Sequence, residues 1–146
     1  MQSPSPISVR PFVESDIEPA LDLWIGMEGV GLAESDNKEA IESFLKRNPD
    51  FSEVATLTSG EIVGTVLCGH NGRQGFLYHL MVVPTYRRRS IGTQMVEFCF
   101  VKLAEAKIPR CNIFVYTAND SGNQFWLRSG WDDPSTWKVL QKQLDV

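Results

Sequence analysis

Leu80-Met81-Val82-Val83-Pro84-Thr85-Tyr86-Arg87-Arg88-Arg89-Ser90-Ile91-Gly92-Thr93 decides how this chain is read. The apolar run closed by Pro84, which cannot donate to a ladder, ends a strand. Behind the three arginines, Ile91, Met95, Phe98, Cys99 and Leu103 recur at three- and four-residue intervals, the pattern of a long amphipathic helix over Ile91–Lys107. A buried strand thus runs through a cationic turn into a helix. The first turn of a helix offers unpaired N–H groups and partial positive charge, and small residues such as Ser90 and Gly92 let an anion approach the main chain. A phosphate group is therefore the expected ligand of Arg87–Thr93. Taken alone, Arg87–Arg89 also reads as an exposed charged turn or a small nucleic-acid patch.

Upstream of this segment, Ser52–Thr58, Glu61–Cys68 and Phe76–Val83 are β-rich and separated by Ser59–Gly60 and Gly69–Gly75, which predicts an antiparallel meander of three strands. Ile7–Phe12 reads as an earlier strand. Ser15 and Glu18 have capping-box spacing and open a helix whose apolar face holds Ile17, Leu21, Trp24 and Ile25. A second helix is expected from Asp36, with Glu39 three residues on, burying Ile41, Phe44 and Leu45 before Asn48–Pro49 stops it. Downstream, Cys111–Thr117 reads as a strand and Ser121–Ser129 as a helix, with Ser121 and Gln124 at capping-box spacing and Gly130 as its stop. Trp137–Leu144 reads as a final strand. The strand-helix-strand passage in the second half implies a parallel pair. The expected fold is mixed α/β (α+β): a mostly antiparallel central sheet of about six to seven strands with four helices on its faces.

The chain has 146 residues, 42% apolar and 22% charged, which fits a single domain over residues 7–146 behind a loose tail, Met1–Pro6. A net charge of −4 argues against a general binder of nucleic acid or of anionic membranes. Cys68, Cys99 and Cys111 lie far apart in apolar stretches without metal-ligand spacing, and read as reduced core residues; no metal is expected. No apolar run reaches bilayer length and the start lacks signal-peptide character, so the expected location is cytoplasmic.

Leu80–Thr93 resembles motif A of the GNAT N-acetyltransferases, an Arg or Gln, two residues, a Gly, one residue and a Gly, here Arg87, Ser90 and Gly92 with Ser90 in place of the first glycine. Asn119-Asp120-Ser121-Gly122-Asn123-Gln124-Phe125-Trp126-Leu127-Arg128-Ser129-Gly130-Trp131 is similar to the family's second signature, an Asn, a helix and a closing Gly-aromatic pair. The resemblance covers Ile7 to Leu144, and Gly64–Arg87 looks most like the YpeA-like branch. It implies acetyl-CoA as cosubstrate, with its pyrophosphate on Arg87, Arg88, Arg89, Ser90, Ile91, Gly92 and Thr93. It further implies that the main chain of Leu80, Met81 and Val82 pairs with the pantetheine arm as an added strand, and that Asn119 and Trp126 also contact the cofactor.

For mechanism, the resemblance implies direct attack of a neutral amine on the thioester in a ternary complex, with a base to take the ammonium proton and backbone N–H groups for the oxyanion. The family's usual tyrosine acid corresponds to Trp126, and positions that carry a base in relatives correspond to Tyr78 and Phe114. The catalytic candidates read from the residues are His79, which interrupts an apolar strand, and Tyr78, whose phenol can act through a water or donate to the thiolate. As a structural residue, His79 would only hydrogen-bond a neighbouring element. His70, Asn71 and Arg73 in Gly69–Gly75, and Glu28 and Glu34 between the first two helices, are candidates for the acceptor site or plain solvated positions. Trp24, Trp131 and Trp137 read as core or edge aromatics.

The readings that follow are an N-acetyltransferase acting on a small amine or a protein amino group, a catalytically weak CoA-binding sensor or partner-binding module, and a small nucleic-acid-binding domain; the enzyme is favoured. Monomer and homodimer both fit, with a C-terminal edge strand as the dimer seam.

Overall fold

In a computed structural model, which describes residues 6–27 and 30–146, the strands are β1 (Ile7–Pro11), β2 (Glu53–Leu57), β3 (Ile62–His70), β4 (Gly75–Val82) and β5 (Cys111–Ile113). They form one sheet in the order β1-β2-β3-β4-β5, antiparallel except for the parallel β4–β5 pair. The helices are α1 (Ile17–Ile25), α2 (Lys38–Arg47), α3 (Ile91–Glu105) and α4 (Asp120–Arg128). The chain divides into two compact units, Met1–Phe114 and Val115–Val146, each described by itself. Of the expected tail Met1–Pro6, residues 1–5 lie outside the described ones and Pro6 is exposed without regular structure.

In the first unit, β3 is buried on both faces along almost its whole length, as a central strand covered from two sides must be. From Gly64 on, its even residues face α3: a Cβ on Gly64 would lie 3.1 Å from the Met95 methyl carbon, and one on Gly75 of β4 would lie 2.8 Å from Leu103. Its odd residues face α1, where Thr65 meets Trp24 and Leu67 joins Phe12, Ile17, Ala20, Trp24, Ile41, Val54 and Met81 in a core cluster. The period of two therefore sorts one strand into two cores.

Local chemistry moves several expected boundaries. Between β2 and β3 the loop is the four residues 58–61, with Gly60 at φ 91°, a turn that places a glycine in the left-handed region. α1 begins two residues after Ser15, because the Asp16 carboxylate takes the Val13 N–H and a two-pronged bond from Arg10 at 2.7 and 2.8 Å; Ser15 and Glu18 form no capping box. α2 is capped by Asn37, whose side chain accepts from the Ala40 N–H, not by Asp36. Ile25 (71% exposed) and Phe98 (46% exposed) lie outside the cores assigned to them, and Ala20 and Val96 are buried instead.

In the second unit α4 is capped by Asn119, not Ser121: the Asn119 side chain accepts from the Gly122 N–H at 3.1 Å. At its other end the Gly130 N–H reaches the Leu127 carbonyl and the Trp131 N–H the Trp126 carbonyl, with Gly130 at φ 91°. This is the glycine-closed helix end expected there. Among the described residues the sheet has five strands, not the expected six to seven. Ladder pairing stops at Ile113 instead of reaching Thr117, and Trp137–Leu144 is exposed without regular structure. Adjacent Val139 and Leu140 break the alternation that would turn one face inward, and β-propensity is realised only against a paired, half-buried surface. The dimer seam assigned to a C-terminal strand goes with it. Trp137 is 55% exposed, and so is no core residue.

Candidate functional site

β4 carries one residue more than β3 between the pairs Met81↔Thr65 and Tyr78↔Leu67, so that His79 and Leu80 oppose the single Val66. The extra residue makes a β-bulge, and His79 takes it up at φ 51°. Five non-glycine residues among those described have positive φ, and three of them, His79, Arg88 and Ser90, fall within twelve residues of chain. Each costs on the order of 1–2 kcal/mol, and such strain concentrates where function demands it.

Beyond the bulge, the Val83 N–H donates to the Val63 carbonyl at 2.8 Å, so by alternation the main-chain groups of Met81 face β3 and those of Leu80 and Val82 face away from it. β5 pairs only with Gly75–Leu77, and on the side away from β3 no strand flanks β4 after Leu77 among the described residues. Of the three residues assigned to the pantetheine arm, Leu80 and Val82 turn main-chain groups away from β3 and Met81 turns its own toward it. The Val82 carbonyl already accepts from Arg87 Nε at 2.8 Å.

The chain leaves β4 through a 3₁₀ turn, Pro84–Tyr86, and enters α3 through Arg87–Ser90. Ser90 is the N-cap of α3 in a left-handed conformation (φ 61°, ψ 19°) and makes no side-chain cap; the first turn holds no acidic residue. The first intrahelical bond runs from Gln94 to the Ser90 carbonyl, so the N–H groups of Ser90, Ile91, Gly92 and Thr93 precede any helical acceptor. α2 and α4 are both capped by asparagine side chains. Arg87 turns back to Val82 and to the Met27 sulfur at 3.7 Å, and the Arg89 guanidinium lies 5.4 Å over the Tyr86 ring. An entrance of unclaimed N–H groups, alternating left-handed residues and arginines has the chemistry that suits an anion.

His79 is fixed on several sides. Its Nε2 lies 2.8 Å from Asp36 Oδ1, its ring sits 4.6 Å from that of Trp24, and its carbonyl accepts from Thr65 Oγ1, which itself accepts from Trp24 Nε1, both at 2.9 Å. Asp36 takes the Ala33 N–H on its other oxygen. Tyr78 packs with Phe44, Phe76 and Phe114 at ring separations of 5.9, 6.3 and 6.4 Å. Burial raises its phenol above the ordinary value, which favours a proton donor over a base.

The remaining candidates separate from these. His70 Nδ1 accepts from Gly72, and Asn71 Oδ1 from Arg73 and Gln74, so the loop's polar groups hold its own turn. Glu34 is exposed and Glu28 lies outside the described residues. In the second unit Asn119 serves as the α4 cap, and Trp126 is buried against Phe125 and Trp131, each ring at 4.9 Å. Hydrogen bonding to Cys68, then burial, holds Cys99 as the neutral thiol, and burial pushes Cys111 up to about 12. Neither is poised as a nucleophile. Among the described residues no group of three or more His, Cys, Asp or Glu is placed to hold a metal ion, and no helix is long and apolar enough to cross a membrane. Asp36, Thr65 and Trp24 escaped the sequence reading: their link to His79 spans 43 residues at Asp36 and leaves no local pattern.

The sequence profile of the acetyltransferase (GNAT) family matches residues 18–131. An acetyltransferase of Sodalis glossinidius is 32% identical over 140 residues, 94% of this chain and 96% of that protein. One of Yersinia enterocolitica is 33% identical over 79% of this chain and 80% of its own length. In structure, a GNAT acetyltransferase from Staphylococcus aureus matches with a TM-score of 0.74 at 17% identity, over 94% of this chain and 95% of that one. An acetyltransferase from Clostridium acetobutylicum, solved with acetyl-CoA, matches at 0.70 and 17% identity over 93% and 96%. The chain belongs to the GNAT acetyltransferase family.

Proposed function

We propose that this protein transfers the acetyl group of acetyl-CoA to a primary amine by direct attack, and that the α3 entrance holds the pyrophosphate. The observation that carries this reading is the uncapped start of α3 behind Arg87–Ser90. Backbone N–H groups there meet a phosphate without reorganisation, and the arginines add charge. The outward main-chain groups of Leu80 and the Val82 N–H fit an extended arm laid along β4 as an added strand. Acetyl-CoA supplies the activated thioester. His79 then removes the ammonium proton of the acceptor and Tyr78, kept protonated by burial, donates to the departing sulfur. Asn119 and Trp126 are cofactor contacts by family likeness only; what the second unit shows of them is a cap and a packed indole. The closeness of Gly64–Arg87 to the YpeA-like branch, a cytoplasmic location and a monomer or homodimer belong to the same proposal.

The printed names of solved relatives include an aminoglycoside 6′-N-acetyltransferase from Acinetobacter baumannii and a NatC complex bound to a peptide and CoA. Small amines and protein amino groups are therefore both candidates for the acceptor. The test is turnover: acetyl-CoA with a panel of ethylamine, benzylamine, lysine and a short peptide, read as thiol release and as acetylated product by mass spectrometry. Thiol release matched by N-acetylated product supports the reading. Cofactor binding without either, across the panel, favours the sensor.

A further inference from the structure

Asp36 was read from sequence as a helix start, yet it does not cap α2. Its two carboxylate oxygens serve two separate donors: Oδ2 takes the Ala33 N–H at 2.8 Å and Oδ1 faces His79 Nε2 at 2.8 Å. The Asp36 and His79 side chains are only 10% and 12% exposed. Against the ring stand Trp24 from α1 and Asp36 from the α1–α2 connection, while Thr65 of β3 holds the His79 carbonyl and Tyr78 precedes His79 on β4. Asp36 is the titratable group in direct contact with the imidazole. The other ring nitrogen, Nδ1, has no hydrogen-bond partner among the described residues.

We propose that Asp36 is a positioning residue, holding the His79 proton on Nε2 so that Nδ1 is the acceptor for the proton an incoming ammonium must lose. The inference rests on the acetyl-transfer reading above and deepens it. A carboxylate accepts and never donates, so it selects the Nε2–H tautomer, turns the ring about that bond and stabilises the imidazolium that forms. In the step itself R–NH3⁺ gives one proton to Nδ1 and becomes R–NH2; the imidazolium keeps its Nε2–H on Asp36 and later returns the Nδ1 proton to water. Because His79 lies in the bulge, the same bond ties the α1–α2 connection to the place where β4 departs from its ladder.

The test replaces Asp36 by asparagine. One amide oxygen must then serve two donors. If it stays with Ala33, the amide NH2 faces Nε2 and forces the proton onto Nδ1, closing the acceptor. The chain has two histidines, so nitrogen-15 imidazole spectra, assigned with His70→Gln, report the tautomer of His79 without any substrate. The expected result is Nε2–H in the wild type and Nδ1–H in Asp36→Asn. Turnover with acetyl-CoA and the panel amine the wild type acetylates fastest should fall about 100-fold, and Asp36→Glu should recover part of it. An Nδ1–H tautomer in the wild type, or a wild-type pH–rate profile in Asp36→Asn, overturns the proposal. Absence of melting stabilisation by acetyl-CoA in the wild type would instead overturn the acetyltransferase reading, leaving the tautomer result to stand or fall alone.

Discussion

Replacing Glu53 by glutamine removes the ionisation of the one buried side chain whose oxygen lacks a partner among the described residues. Glu53 is 1% exposed on the α3 side of β2, its Oε2 has no hydrogen bond, and burial lifts its carboxyl from 4.5 to about 7 against a weak opposing pull from Lys102. The folded protein thus binds a proton that the unfolded chain has released. Between pH 4.5 and 7 stability falls as pH rises, because the folded state holds more protons. At about 1.4 kcal/mol per unit the full loss is on the order of 3 kcal/mol above pH 7, and under about 1 kcal/mol at pH 5. Glutamine has the same shape and never ionises. Urea or thermal unfolding of the two proteins should therefore agree closely at pH 5 and diverge at pH 8, the variant melting roughly 6–12 °C higher. A difference that is the same at both pH values, or a variant less stable at pH 8, would refute the reasoning.

Three further outcomes follow from the same structure. Ser90→Gly relieves a left-handed residue and loses some backbone entropy, for a net gain of about 0.5–1 kcal/mol with cofactor binding retained; a clear loss of melting temperature would assign the Ser90 hydroxyl a role the structure does not show. At Asp16 burial opposes ionisation, but the Arg10 fork and the Val13 N–H outweigh it and hold the carboxyl below its ordinary 3.8. That stability is present above the ordinary value and lost as pH falls through the folded one, so Asp16→Asn should lower stability at pH 7 by about 1–3 kcal/mol and flatten the acid limb of the unfolding curve. Tyr78→Phe should slow turnover and change the pH–rate profile; an unchanged profile removes Tyr78 as the proton donor.

What the sequence disclosed and what it hid divide along physical lines. The meander, α3 and the parallel β4–β5 pair were legible because each is written in local periodicity and turn residues. The α3 entrance was legible for the same reason, since cationic turn, small residues and helix start are contiguous. Caps were misplaced by one or two residues at Asp36 and Ser121, in each case because a neighbouring Asn had the better reach, and at Ser15, where α1 has no side-chain cap. The strand at Trp137–Leu144 was overread because strand propensity is indifferent to whether a partner edge exists. The bulge at His79 and its lock through Asp36, Thr65 and Trp24 were invisible: a one-residue register shift and contacts across 43 residues of chain have no signature in a single sequence.

Thermal unfolding with and without acetyl-CoA, repeated on a protein carrying Arg88→Glu and Arg89→Glu, tests most directly whether the α3 entrance is the cofactor site. At about 100 times the dissociation constant the wild type should gain roughly 2.7 kcal/mol, a shift of about 5–11 °C, and the double variant should lose most of it. No stabilisation of the wild type, or an equal shift in the variant, would contradict the account.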